Sequence, residues 1–389
     1  MAKKQIRRYQ AIYIGADVKM EQLKFNNGKL KIMHITDTHL DDDNIDMSVW
    51  LINEACKREK PDIAIVTGDN VQNCDDANKT KGFIDKLMNV FEEKNIPTAI
   101  TFGNHDSETG AMTREELMEY YNSFSCSVSR EYTDLPDCAT FNVPVLSSDG
   151  SKIKFNLWVI DSNDYDDEGH YGCVLPPQVE WYKNKSDEIT KANNGEKVYS
   201  LAFQHMIVED IYRALKKVNR RKLYSFAHMY NKNDFYMFDP NFKNFGTLNE
   251  TPCSGYHNYG QFEAMVEKGD ILGIFSGHDH TNAFAVKLDG IDIGNSLSTR
   301  YNDDRFSSQY GYRILEVTEN DTSKYTSRVE RWYNMFSFKD LKKIKKDGTD
   351  FDYKTAKSVT IKGIPQRFMT KTGRVFCHLV TGRKNTYSH

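Results

Sequence analysis

The most informative absences in this sequence are long apolar runs and paired cysteines. No apolar stretch approaches the roughly 20 residues that a membrane helix needs, so we expect no contact with a membrane. The seven cysteines, at positions 56, 74, 126, 138, 173, 253 and 377, are scattered and include no CxxC pair. The opening stretch, MAKKQIRRYQAIYIG, lacks the apolar segment of a secretory signal. These absences predict a cytoplasmic protein with free thiols.

Positive charge is scarce except near the carboxyl end. The net charge is −3, yet residues 341–389 contain 12 Lys and Arg against 3 Asp and Glu, so the rest of the chain is acidic. We expect no binding of long nucleic acid, because a groove for its backbone usually carries Lys and Arg. Residues 336–389 are predicted to form a basic, solvated appendage, with contact to an acidic partner as the alternative.

Short apolar runs alternate with helical patterns along the chain. Runs typical of strands occupy residues 30–36, 63–68, 98–103, 153–161, 199–205 and 271–277, and helical spacing marks residues 46–60, 81–94, 113–124 and 176–192. Thr113 is the predicted N-cap of the third helix, in a capping box. This order predicts an α/β fold with a mostly parallel sheet. Residues 228–258 lack a clean period, and we interpret them as an insertion whose aromatic residues wall a pocket.

Chargeable side chains follow five of the six early strand candidates, where ligands of α/β sheets bind. Histidine occurs only 11 times, yet five histidines lie at these strand ends. Asp, Asn and imidazole suit divalent transition metals, and seven such ligands suit two ions about 3.5–4 Å apart that share a carboxylate. Residues i and i+2 of an extended chain point the same way, so DTH and HDH are expected to aim both ends at one cavity. The candidate ligands are Asp37, His39, Asp69, Asn104, His205, His278 and His280.

The blocks DTH, GDN, GNHD, a single histidine and GHDH, in this order after strands, resemble the calcineurin-like metallophosphoesterase superfamily over residues 24–333. Longer stretches, such as YGCVLPPQVEWYKNKS and GQFEAMVEKGDILGIFSGHDHTNAF, are similar to the short purple-acid-phosphatase-like branch. The resemblance implies a four-layer α/β/β/α sandwich with central mixed sheets. It implies a catalytic domain over residues 1–335, with the insertion at about 228–258.

The resemblance also implies roles for the matching residues. One divalent ion would be held by Asp37, His39 and His280, and a second by Asn104, His205 and His278. Asp69 would bridge the two ions. The position three residues after Asp69 is Gln72, where purple acid phosphatases carry a metal-binding tyrosine. A non-purple centre of Mn, Fe, Zn or a mixture is therefore expected.

The catalytic candidates are His105 and Asp106. His105 would contact the phosphate and protonate the leaving group, and Asp106 would orient an imidazole. Asn104 would contact the substrate as well as a metal, and Tyr256 and His257 are further candidates for substrate binding.

This constellation predicts a metal-dependent phosphomonoesterase in which a metal-bridged hydroxide attacks phosphorus and His105 is the general acid. Its substrate would be a small phosphorylated molecule or a phosphoprotein. One alternative is a phosphodiesterase acting on cyclic or short nucleotides, or a nuclease. Another is a catalytically silent module that binds metal or a partner without turnover.

Overall fold

The computed structural model describes residues 22–129, 135–222, 225–239, 244–301 and 309–361. Its strands, in chain order, are β1 (Lys29–Ile35), β2 (Ile63–Thr67), β3 (Thr98–Thr101), β4 (Phe141–Leu146), β5 (Ile153–Val159), β6 (Ser200–Phe203), β7 (Leu215–Val218), β8 (Phe226–Ala227), β9 (Phe235–Phe238), β10 (Asn244–Thr247), β11 (Ile271–Ser276), β12 (Ala283–Leu288), β13 (Ile291–Asn295), β14 (Gly311–Thr318) and β15 (Asp321–Arg331). Its α-helices are α1 (Ile45–Glu59), α2 (Ala77–Glu92), α3 (Arg114–Asn122), α4 (Pro176–Ala192), α5 (Gln261–Lys268) and α6 (Phe338–Asp347), and two short 3-10 helices span Glu209–Ala214 and Trp332–Asn334. Residues 350–361 are also helical.

Two mixed sheets form the centre of the molecule. The first has five strands in the order β15-β14-β1-β2-β3, and the second has seven in the order β10-β12-β13-β11-β6-β5-β4. The pairs β1–β2 and β2–β3 are parallel, as are β5–β6 and β6–β11. The outer pairs β14–β15, β4–β5 and β10–β12 are antiparallel. The sheets are therefore mixed, as the family resemblance implies, and the prediction of a mostly parallel sheet holds only for β1, β2 and β3 of the first sheet and for β5, β6, β11 and β13 of the second.

Side chains alternate between the two faces of each strand, and the buried residues therefore fall into three clusters. In β2, Ile63 and Ile65 face the second sheet, where Phe203 and Phe275 lie in the same buried cluster. Their neighbours, such as Ala64, belong instead to a cluster with the apolar faces of α1, α2 and α3. A third cluster joins the outer face of the second sheet to α4 and α5. The resulting layers are helix, sheet, sheet and helix, which confirms the predicted four-layer sandwich.

The predictions of individual strands and helices are confirmed where the hydrophobic pattern of the sequence is strong. All six early strand candidates and all four helices are present, and the capping box of α3 forms between Thr113 and Glu116. The predicted insertion is less irregular than expected. It contains β9, which joins β7 and β8 in a small third sheet, and β10, which adds an edge strand to the second sheet. Four-residue strands are too short to reveal a period in the sequence.

The described part of the predicted appendage packs onto the domain. Phe336, Leu341, Ala356 and Val359 are buried in the same cluster as the apolar face of α1. Residues 336–361 therefore extend the first helical layer, which differs from the prediction of a solvated appendage after residue 335. Residues 362–389 lie outside the described residues.

Two further expectations concern free thiols and membrane-spanning helices. All six cysteines within the described ranges are free thiols, as predicted. No helix in those ranges is both long enough and apolar enough to span a membrane.

Candidate metal centre

The carboxyl ends of strands from both sheets meet at one edge of the sandwich. Asp37, Asp69 and Asn104 follow β1, β2 and β3 of the first sheet, while His205 and His278 follow β6 and β11 of the second. Because the two sheets face each other, loops whose residues are up to 241 positions apart in the chain converge there. The loop after β11 is held directly by the loop after β1, because the His278 N–H donates to Asp37 Oδ2 at 3.0 Å.

Two groups of three side chains collect within this junction. The first triad is Asp37, His39 and His280, and the second triad is Asp69, His205 and His278. The ligand atoms of each triad lie within 4.8 Å of one another. In the first triad the Nε2 atoms of His39 and His280 are only 2.9 Å apart.

Asp69, a member of the second triad, also faces the first triad. Its Oδ2 is 3.2 Å from His205 Nε2 and 3.7 Å from His39 Nε2. Its Oδ1 accepts a hydrogen bond of 2.8 Å from the His105 N–H, which fixes the carboxylate in place. One oxygen is thus bound to the protein and the other is directed between the triads, the arrangement required of a bridging ligand.

The unpartnered atoms show that the site fits metal ions. Asp37 Oδ1, Asp69 Oδ2, Asn104 Oδ1 and His205 Nε2 are buried and make no hydrogen bond. Leaving buried polar atoms unpaired is costly, so such groups usually have a ligand. His205 donates from Nδ1 to the Thr67 carbonyl oxygen at 2.8 Å, which leaves the Nε2 lone pair for a cation. The donor set of carboxylate, amide oxygen and imidazole is that of a divalent transition metal.

The backbone reaches this arrangement through left-handed turns. Asp37, His39, Asp69 and His278 have φ values of 52°, 40°, 51° and 66°. Left-handed backbone is uncommon for residues with a Cβ and tends to cluster at functional sites. The expectation that DTH and HDH converge because they are extended is therefore wrong. Tight turns bring these side chains together instead.

Two glycines allow the loops to approach so closely. A Cβ at Gly277 would lie 1.8 Å from Thr36 Oγ1 and 2.4 Å from Asp37 Oδ2. A Cβ at Gly103 would lie 2.2 Å from Asp69 Oδ1. Either side chain would push a carboxylate out of its triad.

Charges within the triads hold the carboxylates in the ionised form that binds cations. Burial acts to raise the pKa of Asp37, but the imidazoles of His280 and His39, whose Nε2 atoms lie 3.5 and 3.8 Å from Oδ1, outweigh it and place the pKa well below its ordinary value. Burial likewise acts to lower the pKa of His205, but the Asp69 carboxylate outweighs it and raises the pKa to about 10, so a cation that binds Nε2 must displace a proton. Burial, together with the charge of His205, lowers the pKa of His278 to about 3.

Asp106 has a different role from the one predicted. Its Oδ2 accepts from the N–H groups of Asp69 and Gly103, and its Oδ1 accepts from the N–H of Asn70, each at 2.8 Å. Three backbone amides thus occupy the carboxylate that was expected to orient an imidazole. Asp106 is a positioning residue that ties the loop after β2 to the loop after β3.

His105 lies at the mouth of the site beside the first triad. Its ring centroid is 5.6 Å from that of His39, and its side chain is partly exposed. Its Nδ1 is hydrogen-bonded to the carboxylate of Glu108, a residue that sequence reasoning missed. A carboxylate three residues after the histidine of GNHD is the signal that would have revealed it.

Asn104 has two other neighbours that the sequence did not reveal. Its Nδ2 donates to the Tyr165 hydroxyl at 2.8 Å, which directs its unpartnered Oδ1 away from that tyrosine. Tyr165 is stacked on Tyr171, and the Tyr171 ring packs edge-on against His278 at 4.4 Å between centroids. Since the Asn104 amide nitrogen already donates to Tyr165, its contact with substrate stays a prediction.

Tyr256 and His257 lie on the rim, outside both triads. The Tyr256 N–H donates to the Tyr171 carbonyl oxygen at 3.1 Å, so Tyr256 lies next to the ring pair that borders the second triad. His257 Nε2 is 3.7 Å from Asp166 Oδ2. These contacts do not test the role of the two residues in substrate binding, which stays a prediction.

Arg114, in the first turn of α3, links two loops of the site. Its guanidinium donates to both oxygens of buried Asp161, at 2.6 and 2.7 Å, and to the Gly103 carbonyl oxygen at 3.1 Å. Asp161 follows β5, so this pair joins the second sheet to the GNHD loop of the first.

Several known proteins are similar to this chain in sequence or in structure. A protein of Arabidopsis thaliana named probable inactive purple acid phosphatase 14 is 26% identical over 316 residues, which cover 71% of this chain and 72% of that protein. Probable inactive purple acid phosphatase 29 of the same plant is 23% identical, with 72% of this chain and 74% of that protein covered. A solved dimetal phosphatase from Danio rerio aligns at 12% identity with a TM-score of 0.46, over 77% of this chain and 98% of its own.

The sequence profile described as calcineurin-like phosphoesterase matches residues 30–282, from β1 to the end of the GHDH loop. That span is well over half of the chain and includes all seven candidate ligands. The resemblance inferred from the motifs is thereby confirmed, and the chain belongs to the calcineurin-like phosphoesterase family.

Proposed function

We propose that this protein is a metal-dependent phosphomonoesterase that cleaves a phosphate ester with water, giving an alcohol and inorganic phosphate. The observation that carries the proposal is the pair of neighbouring triads, in which Asp69 of the second lies 3.7 Å from His39 of the first and both contain unpartnered, buried ligand atoms. Small phosphorylated molecules or phosphoproteins are the proposed substrates.

Different residues would bind the two metal ions. The first triad would hold one divalent cation, the second triad together with Asn104 would hold the other, and Asp69 would contact both. When bound, two such cations supply a water of lowered pKa and a positive field for phosphoryl oxygens. We propose Mn, Fe, Zn or a mixture as the metals. Gln72 occupies the position of the metal-binding tyrosine of purple acid phosphatases, and its side chain donates to Asp41 at 3.3 Å.

His105 would act on the leaving group. With its Nδ1 held by Glu108, its Nε2 is the nitrogen that carries a proton to the departing oxygen. The pair explains how a partly exposed histidine keeps one orientation at the mouth of the site.

The surroundings support the remaining proposals on partners and compartment. The loop 163–171 beside the site contains four carboxylates and no Lys or Arg, which supports the exclusion of long nucleic acid. The free thiols support a reducing compartment such as the cytoplasm. Contact of the basic carboxyl end with an acidic partner stays a proposal.

The test is hydrolysis of p-nitrophenyl phosphate against bis(p-nitrophenyl) phosphate, with protein loaded with Mn, Fe, Zn or Mg. We expect the monoester to be preferred and chelation to abolish its hydrolysis. Cleavage of the diester alone would favour the phosphodiesterase instead.

A silent binding module is the second candidate, because two similar plant proteins are named probable inactive. The intact set of candidate ligands and the His105–Glu108 pair favour turnover over this alternative. Metal-loaded protein that hydrolyses no member of a broad phosphate panel would establish the silent module.

A further inference from the structure

A layer of aromatic rings begins at the second triad and extends outward. Tyr171 packs edge-on against His278, with 4.4 Å between ring centroids. Tyr165 stacks on Tyr171 at 5.9 Å with 26° between ring planes, and its hydroxyl contacts Asn104. The inner end of the layer therefore touches one triad histidine and one further candidate ligand.

The layer continues into the insertion. His170 is stacked on Tyr256, with centroids 4.0 Å apart and 13° between planes, and Tyr230 packs edge-on against Tyr256 at 4.9 Å. The hydrogen bond from the Tyr256 N–H to the Tyr171 carbonyl oxygen joins this outer part to the inner one. We call the following five residues the aromatic platform: Tyr165, His170, Tyr171, Tyr230 and Tyr256.

Two rings of the platform are exposed to solvent, and the other three are half-buried. The exposed fractions of Tyr165 and Tyr256 are 37% and 45%. Contiguous exposed aromatic surface with polar residues at its rim is typical of interaction sites and ligand-binding grooves. Aromatic rings attract other flat rings through stacked or edge-on contacts.

The charges around the platform restrict what it binds. The loop 163–171 supplies Asp164, Asp166, Asp167 and Glu168 and contains no basic residue except His170. Asp166 Oδ2 is 3.0 Å from His170 Nδ1, so carboxylate charge lies at the edge of the stacked rings. A ligand with further phosphate or carboxylate groups would be repelled there.

We propose that the aromatic platform binds the leaving group of the substrate, and that this group carries an aromatic ring without further negative charge. The inference rests on the proposed phosphomonoesterase function and names its substrate class. With phosphate at the triads, the ring of an aryl or arylalkyl ester would lie along Tyr165 and Tyr171 toward Tyr256.

The test compares 2-phenylethyl phosphate with 2-cyclohexylethyl phosphate, whose leaving alcohols differ in ring type but hardly in acidity. We expect kcat/KM to favour the phenyl ester by roughly threefold to tenfold, the range of one aromatic pair. Tyr256→Leu should bring that ratio toward one, whereas Phe338→Leu, at an exposed position on α6, should leave it unchanged. A carboxylate on the phenyl ring should remove the preference.

The corresponding phosphonates give a readout without turnover. Calorimetric titration of metal-loaded protein should show the same preference for phenyl over cyclohexyl, and Tyr256→Leu should reduce it. Equal values for the two rings in the wild type, or a preference that Tyr256→Leu leaves intact, would overturn the aromatic platform even if both esters are hydrolysed. Failure to hydrolyse either ester would count against the proposed function, while the phosphonate titration would still decide the platform.

Discussion

At the scale of the residue, the site depends on atoms that the fold leaves without protein partners. Asp69 illustrates this, because one oxygen is held by a backbone N–H and the other lies between two imidazoles. His105 lies next to this group but outside it. Its Nδ1 is bound to Glu108, and it belongs to neither triad. Binding of metal and transfer of a proton are therefore assigned to different side chains.

We predict that His105→Ala retains both metal ions and loses turnover by about 10²–10⁴-fold, the usual contribution of a general acid. The loss should be greatest for alkyl esters, whose leaving oxygens need the proton most. Metal content and initial rates measure the two effects separately. Loss of metal from His105→Ala would show that the imidazole is a ligand instead.

At the scale of the element, the site depends on how strand ends are tied together. Asp106 joins the loops after β2 and β3, and the Arg114–Asp161 pair joins α3 to the end of β5. Removing one partner of a buried ion pair leaves an uncompensated charge, which costs far more than the loss of an exposed pair.

We predict that Arg114→Met lowers the free energy of unfolding by about 3 kcal/mol, since it leaves the buried Asp161 carboxylate without its ion-pair partner. The control is Lys86→Met, which removes the exposed Lys86–Asp46 pair and for which the expected loss is about 1 kcal/mol or less. Urea unfolding in the presence of chelator measures both. Equal losses in the two variants would show that the Arg114 pair does not brace the loops.

Sequence reasoning located the ligands because histidines are rare and fall where apolar runs end. It did not find Glu108, Tyr165 or Arg114, since Tyr165 contacts a residue 61 positions away and Arg114 contacts one 47 positions away. It also missed the left-handed turns at Asp37 and Asp69, because φ at such positions is imposed by tertiary contacts. β4 and the strands of the insertion were missed for lack of a long enough period.

At the scale of the whole molecule, two sheets are joined by a polar seam beneath the site. His34 lies in it, with Nδ1 2.9 Å from Ser296 Oγ and Nε2 2.8 Å from Thr67 Oγ1. Burial, and secondarily the charge of Arg313, lowers the pKa of His34 from 6.5 to about 3. The folded state therefore binds fewer protons than the unfolded state between these pH values, and stability falls as pH decreases through this window.

We predict that the stability of chelated wild-type protein falls more steeply between pH 6.5 and 5 than that of His34→Asn. The expected difference in slope is about 1.4 kcal/mol per pH unit, the value for one proton. Denaturant unfolding at several pH values measures it. Parallel curves for the two proteins would mean that His34 does not carry the effect.

The helical layer also extends further than the catalytic motifs. Leu341 on α6 is buried against the layer of α1, whereas Phe338 on the same helix is 63% exposed. We predict that Leu341→Ala lowers the free energy of unfolding by about 2 kcal/mol and that Phe338→Ala changes it by less than about 0.5 kcal/mol. Equal effects in thermal or urea unfolding would show that residues 336–347 do not stabilise the domain.

The central claim, that five loops hold two cations around Asp69, is tested most directly by anomalous diffraction from crystals grown with excess Mn²⁺. The account predicts two manganese peaks per chain, one at Asp37, His39 and His280 and the other at Asp69, His205 and His278, and their loss in Asp69→Asn. A map of wild-type crystals with no peak at these side chains, or with manganese bound only elsewhere, would contradict it.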